Sequence, residues 1–391
     1  MTLRSALWVS RLRKEGLHLP SHSLRFGDAS QWRAVPGKSL LLYDPRIMQG
    51  TIGEVKRKTL YFTAPRQVEL REETLSAPGA DEVLVETTCS AISAGTEMLV
   101  YQGRFPRDLE ADSVISSLRG GFAYPLAYGY ACAGVVRETG TQVDISWRDK
   151  LVFAFQPHTS HFICKPDSLF PVPASLSPET ACFLPNMETA INLVHDGAPI
   201  FGERALVLGQ GIVGLLTASL LREFPLDVLV IADCYPLRCD SSPVTRRLAL
   251  DPHTPGFRQE AMRFLKQGAD LTFELSGNPT ALNDAIALTR FSGRIVIGSW
   301  YGEKQVEVNL GGTFHRSRIK LISSQVSTIA PELEGRWDKA RRFDAAWKAL
   351  GRIKPEKWIT HRFLIDDAPE AYRLLDESPQ KTLQVILDYS R

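Results

Sequence analysis

At 391 residues the chain exceeds the ~250 to 300 residues at which a single hydrophobic core stops growing, so two domains are expected. Hydrophobic residues at 44% and charged residues at 23% match an ordinary globular protein and exclude wholesale disorder. A formal net charge of +2 gives no broad attraction to nucleic acid or an anionic membrane, and no apolar run reaches the ~18 to 20 residues of a spanning helix.

The first 55 residues carry Arg4, Arg11, Arg13, Lys14, Arg25 and Arg33 among few acids. They read as a disordered extension, as a start placed upstream of a true Met48, or as an Arg-rich organelle presequence. From Lys58 short strands follow one another: "TLYFTAP", "QVELREE", "DEVLVETTCSAIS", "CAGVVRETG" and "KLVFAF". In the third, Val83 and Val85 are expected to point one way and Leu84 and Glu86 the other. Together these strands predict a partly open β-barrel.

Helices enter at Ser177, an N-cap followed by Pro178 and Glu179; Pro185 breaks that helix, and a second runs through Thr189 to Val194. Beyond it strands and helices alternate: "RALVLG", "IVGLLTASLLREF", "DVLVIAD", a helix near Gln259 to Lys266, "ADLTFELSG", a helix from Pro279 to Leu288, and "GRIVIGS". Such alternation means parallel strands with right-handed crossovers, hence a doubly wound α/β domain. "KLISSQVS" is expected at its edge. An amphipathic helix then presents Phe343, Trp347 and Leu350, "APEAYRLLD" adds another, and "LQVILDY" returns as a strand to the first domain. The predicted division is an extension over 1–55, a catalytic domain over 56–176 and 327–391, and a nucleotide-binding domain over 177–326.

The loop Gly209, Gln210, Gly211, Ile212, Val213, Gly214 has GxGxxG spacing between an apolar strand and an apolar helix. The first glycine makes the turn, the second admits a pyrophosphate, and the third lets helix and strand pack. Asp233 ends the next strand, where a carboxylate bonds adenosine ribose hydroxyls and repels a 2′-phosphate, so NAD(H) is favoured over NADP(H). Arg238 is the counter-argument, since an arginine there could take that phosphate. Ser276 and Ser299 follow later strands of the sheet and are assigned to the cofactor; Trp300 and Tyr301 come next, at the edge expected to hold the nicotinamide.

On these features the chain from about Lys58 to Tyr389 resembles the medium-chain dehydrogenase/reductase superfamily, which implies a GroES-like, partly open β-barrel catalytic domain joined to a Rossmann domain. "YPLAYGYACAGVVRETG" is similar to the family stretch that carries a zinc-binding histidine: Gly129, Gly134 and Val135 match, but Tyr130 and Ala131 stand where zinc members have histidine and glutamate. "AISAGTE" resembles the family's Cys-Gly-Ser/Thr-Asp run, with Ala94 or, after a one-residue shift, Ser93 at the cysteine position. Thr96 and Glu97 match the proton-relay hydroxyl and the acid behind the ligands. A catalytic zinc needs about three protein ligands, so no zinc is expected. "AISAGTEMLVYQG", "YGYACAGVV" and "PNMETAINLVHDG" are similar to the branch that contains the dehydrogenase of bacteriochlorophyllide hydroxyethyl groups.

Without zinc, a side chain must supply the proton for the substrate oxygen. The candidates are Tyr130, with Thr96, Glu97 and His158, although Tyr130 reads equally as a tyrosine packed on the cleft wall and His158 as a water-exposed loop histidine. A metal built from His158, His161 and Glu97 is a minor alternative, and Arg316 and Arg318 are read as near the domain junction, where they could hold an acidic substrate. The expected function is zinc-independent interconversion of a secondary alcohol and a ketone on a bulky small-molecule metabolite. The alternatives are reduction of an activated C=C bond and non-catalytic NAD sensing. Scattered cysteines without CxxC pairs point to a reducing cytoplasm, and the edge strand to a homodimer by resemblance to the family.

Overall fold

The computed structural model describes residues 55–106, 121 and 123–390, which belong to one compact unit; apart from Val55, the Arg-rich extension lies outside them. The strand-rich part opens with β1 (Val55–Ala64) and β2 (Gln67–Leu75), which pair antiparallel, and continues with β3 (Val83–Ile92). A short helix α1 (Thr96–Gln102) and the strands β4 (Leu126–Ala127), β5 (Cys132–Thr139), β6 (Leu151–Ala154), β7 (His161–Cys164) and β8 (Phe170–Pro171) follow. Strands β5 and β7 pair antiparallel along the two edges of β3, and Leu84 is buried like Val83 and Val85, so both faces of this strand carry buried side chains.

The capping expected at Ser177 is present: its hydroxyl accepts from the Thr180 amide at the start of α2 (Pro178–Ala181). Pro185 opens the next helix rather than merely ending the first, because a proline in the first turn forfeits no helical hydrogen bond. That helix, α3 (Leu184–Gly197), is therefore longer at both ends than Thr189 to Val194.

The alternating region builds a six-stranded parallel sheet from β9 (Arg204–Leu208), β10 (Val228–Ala232), β11 (Ala249–Leu250), β12 (Ala269–Glu274), β13 (Thr289–Ile297) and β14 (Lys320–Ser323). Helix α4 (Ile212–Leu221) follows β9, α5 (Pro236–Ser241) follows β10, α6 (Phe257–Leu265) follows β11 and α7 (Ala281–Leu288) follows β12. The strand order β11-β10-β9-β12-β13-β14 reverses between β9 and β12. In such sheets the crevice at the carboxyl ends of the strands, at that reversal, is where a dinucleotide binds.

After the sheet come α8 (Lys339–Ile353), β15 (Ile359–Leu364), α9 (Ala368–Glu377) and β16 (Gln384–Asp388). In α8 Phe343 and Leu350 are buried, and so, fully, is Arg342. Its guanidinium bonds the side chains of Glu188 and Asn192 on α3 and the carbonyls of Val326 and Thr328, so the segment after β14 is tied to α3. Strand β16 lies antiparallel to β3, pairing Val385 with Ile92 and Leu387 with Ser90. The last strand of the chain thus braces the strand that leads into Ser93 and Glu97.

Candidate active site and cofactor cradle

The turn after β9 gives each glycine a distinct task. Gly209 has φ +94°, and a Cβ there would come within 2.6 Å of the Leu275 and Ser276 backbone across the strand-order reversal. At Gly214 a Cβ would lie 2.0 Å from the Gly209 carbonyl, so only hydrogen lets α4 close on the turn. At Gly211 a Cβ meets nothing within 4 Å: the space in front of the helix start is open. Ile212 is buried behind it and Val213 half-buried in the first turn. Free amides at the positive end of a helix facing open space fit a diphosphate, so the residues present suit a dinucleotide.

Asp233 is held rigidly at the tip of β10. One carboxylate oxygen accepts from the Gln210 amide at 2.7 Å and the other from the Tyr235 amide at 2.9 Å. The Gln210 side chain donates to the Gly209 carbonyl, which stiffens the same turn. Arg238 lies 3.7 Å from the Asp233 carboxylate, stacks on Tyr235 and donates to the Pro379 carbonyl. A cavity of about 590 Å³ lined by Asp233, Cys234, Leu250 and Asp251 opens beside them.

Ser276 and Ser299 stand at the carboxyl edge of the sheet, tied to a residue that spacing did not single out. Glu274, fully buried at the end of β12, accepts from the Ser276 amide at 2.9 Å and from the hydroxyls of Ser276 and Tyr301. The Ser299 hydroxyl accepts from the Gly277 amide at 2.9 Å. Burial, and then the Glu274 carboxylate, push the Tyr301 phenol well above its ordinary pKa and keep it a neutral donor. Trp300 sits partly exposed at this rim.

The catalytic candidates gather around Glu97, in the first turn of α1. Its carboxylate is fully buried and accepts from the Ser93 amide at 2.8 Å, from the Tyr372 phenol at 2.6 Å, and meets His158 Nε2 at 2.8 Å. His158 Nδ1 is 2.7 Å from the Ser90 hydroxyl, which contacts the Tyr389 phenol at 2.9 Å. His158 is therefore not a water-exposed loop residue; it is fully buried with both ring nitrogens engaged, and so is not placed to touch a substrate. Gly129 makes room for it: at φ +116° a Cβ there would lie 2.7 Å from the imidazole.

Above this buried group the Tyr130 phenol donates to the Ser93 hydroxyl at 2.6 Å. Both residues are half-buried, as is Thr96 at the start of α1, while Ala94 and Gly95 between them are exposed. The side chains of Glu97 and His158 are thus fully buried, and Ser93, Thr96 and Tyr130 are half-buried near the exposed Ala94 and Gly95. Ser90, Tyr372 and Tyr389 escape sequence reasoning because the first and last partners of this network are 275 to 299 residues apart in the chain.

Other expected groupings do not form. His161 is on β7 opposite Glu86, with Nδ1 3.0 Å from the Ser160 hydroxyl, and does not join His158 and Glu97. Among the described residues no three His, Cys, Asp or Glu side chains cluster as metal ligands. Arg316 and Arg318 precede β14 and so lie at the amino edge of the parallel sheet, opposite the glycine turn, because β14 runs in the same direction as its neighbours. They therefore stand away from the glycine turn and from the carboxyl edge that carries Ser276 and Ser299. The six cysteines are free thiols; Cys89 and Cys182 approach to 3.7 Å between sulfurs, both buried. No helix among the described residues is long and apolar enough to cross a membrane.

No protein-family profile matches the chain. D-guloside 3-dehydrogenase of Escherichia coli K12 is 24% identical over 348 residues, covering 84% of this chain and 99% of that protein. Sorbitol dehydrogenase of Bacillus subtilis is 24% identical over 282 residues, 62% of this chain and 75% of that one. Among solved structures, an alcohol dehydrogenase of Escherichia coli complexed with NADH has a TM-score of 0.68 at 18% identity, over 85% of this chain and 99% of that chain. A zinc-binding dehydrogenase of Sinorhizobium meliloti bound to NADP has a TM-score of 0.66 at 16% identity, over 86% and 100%. In sequence the chain is thus similar to curated sugar and polyol dehydrogenases, and it shares the fold of the solved alcohol and zinc-binding dehydrogenases.

Proposed function

We propose that the chain is a zinc-independent, NAD(H)-dependent oxidoreductase that interconverts a secondary alcohol and a ketone on a bulky, polyhydroxylated substrate. The observation that carries this reading is the Tyr130–Ser93 hydroxyl pair, bonded at 2.6 Å beside the exposed Ala94 and Gly95. Ala94 offers no ligating atom, Tyr130 a phenol in place of imidazole, and the nearby His158 and Glu97 are already bonded to one another below the surface. This donor set does not fit a catalytic zinc, which wants thiolate, imidazole or carboxylate groups free to ligate. It does fit proton delivery to a developing alkoxide by hydroxyl groups.

The nicotinamide, when bound, supplies or accepts the hydride. The chain's own part is to hold the diphosphate at the amides of α4, to take the adenosine ribose at Asp233, and to place the substrate oxygen against the hydroxyl pair. Asp233 supports NAD(H), since a carboxylate fixed by two amides repels a 2′-phosphate. The curated relatives, named for oxidation of a guloside and of sorbitol, support alcohol chemistry over reduction of a C=C bond. We also infer a homodimer joined along β14, the end strand of the parallel sheet among the described residues; light scattering at several concentrations tests it, and a monomer throughout would end that inference.

The test is to load the purified chain with NAD⁺ and follow NADH formation over a panel of polyols and glycosides, including sorbitol and a guloside, with and without a chelator. Chelator-insensitive oxidation is expected. Stoichiometric zinc whose removal abolishes turnover would overturn the zinc-free part, and failure to bind NADH would overturn the whole reading.

A further inference from the structure

The direction of one hydrogen bond separates Ser93 from Tyr130. A phenol has a single proton, and that of Tyr130 is spent on the Ser93 oxygen. The Ser93 hydroxyl receives this bond and retains its own proton, for which no described residue provides an acceptor. The Ser93 backbone is fixed independently, because its amide donates to the buried Glu97 carboxylate at 2.8 Å. Glu97 in turn is held by His158 and Tyr372. A hydroxyl on an anchored backbone, half-buried beside the exposed Ala94, with its proton unclaimed and a stronger acid behind it, is arranged to donate outward.

We propose that Ser93 is the catalytic residue that hands the proton to the substrate carbonyl oxygen, with Tyr130 as the acid that replenishes it. This rests on the alcohol and ketone reading given above. In reduction, hydride from the dihydronicotinamide forms the new C–H bond and the C=O π pair moves onto oxygen. The O–H bond of Ser93 breaks as its proton goes to that oxygen, and the Tyr130 proton passes to Ser93. Solvent reprotonates the Tyr130 phenolate at the half-buried cleft. The carbonyl is reduced by two electrons and the dihydronicotinamide oxidised by two; oxidation of the alcohol runs the same steps backward. Thr96 and Glu97 carry no proton in this scheme, and Glu97 is a positioning residue acting through the Ser93 amide.

The substitution Ser93→Ala deletes the hydroxyl and leaves the backbone amide that Glu97 holds, so it tests chemistry rather than folding. Full-length wild type, Ser93→Ala, Ser93→Thr and Tyr130→Phe are compared with whichever alcohol of the panel the wild type oxidises, and with the matching ketone. Expected for Ser93→Ala is a kcat loss of roughly 100-fold or more with NADH affinity and melting temperature unchanged. Ser93→Thr, which restores a hydroxyl, should recover to within about tenfold of wild type. Tyr130→Phe should slow the reaction and remove the alkaline fall in ketone reduction that phenol ionisation causes, since an ionised phenol cannot replenish the serine. Ser93→Ala turning over within about twofold of wild type would overturn the assignment while leaving the dehydrogenase reading intact. So would a Tyr130→Phe loss with an unaltered pH profile. If the wild type binds NADH but oxidises nothing in the panel, the alcohol reading itself has failed, and the role of Ser93 falls with it.

Discussion

The Glu97 carboxylate lies 2.8 Å from His158 Nε2, with neither side chain exposed, and the Ser93 amide and Tyr372 phenol complete its hydrogen bonding. Removing one member of such a buried network leaves the others desolvated and unpaired. Glu97→Leu should therefore lower unfolding free energy by about 3 to 5 kcal/mol, with Glu97→Gln milder because it keeps an acceptor. Urea denaturation checks this, and equal midpoints for Glu97→Leu and wild type would show that the network does not support the fold.

The glycine turn separates a packing role from a ligand role. Gly214→Ala should lower the melting temperature, because its Cβ would sit 2.0 Å from the Gly209 carbonyl. Gly211→Val, whose side chain starts in open space, should leave the melting temperature near wild type and weaken NADH binding at least about tenfold by filling the diphosphate approach. Thermal melts and NADH fluorescence titrations distinguish the two; unchanged NADH affinity in Gly211→Val would place the diphosphate elsewhere.

On the proposed reading cofactor choice rests on Asp233 and Arg238, 3.7 Å apart. Asp233→Ser removes the charge that repels a 2′-phosphate and releases Arg238 to meet it. The ratio of NADPH to NADH affinity should rise at least about tenfold, equivalent to roughly 1.4 kcal/mol. Asp233→Ser combined with Arg238→Ala should lose that gain, as paired titrations would reveal.

His195 is held neutral: burial first, then the cations of Arg342, Arg336 and Arg341, lower its pKa to about 4 from the ordinary 6.5. The unfolded chain binds a proton on this residue over that window and the folded chain does not. The contribution is thus complete above pH ~6.5 and is lost as pH falls toward ~4. Because the ring is only half-buried, solvent screening reduces the effect to on the order of 1 kcal/mol. Urea midpoints measured across this window should fall less steeply in His195→Gln than in wild type, and parallel curves would exclude the effect.

Local spacing carried much of the fold. Apolar periodicity and the GxGxxG run mark the strands, helices and glycine turn of the parallel sheet, because those roles are set within a few residues. Ser177 and Pro178 similarly announce the start of α2. Local pattern misled where tertiary contacts intervened: Pro185 opens a helix, and Arg316 and Arg318 fall on the far edge of the sheet. Arg342, on a helix whose composition suggests solvated charges, is fully buried because Glu188 and Asn192 arrive from α3.

The sequence by itself determined the cofactor turn, since turn geometry, close approach and helix start depend on glycines only a few positions apart. It also fixed Ala94 and Tyr130, which offer neither thiolate nor imidazole, in the two runs that resemble a zinc-binding stretch. Only the tertiary structure decided what Glu97, His158 and Tyr130 are attached to. Their partners Ser90, Ser93, Tyr372 and Tyr389 come together because β16 returns beside β3 and α9 packs below α1. A hydrogen bond between residues hundreds of positions apart has no local signature; its geometry exists only after the chain has closed.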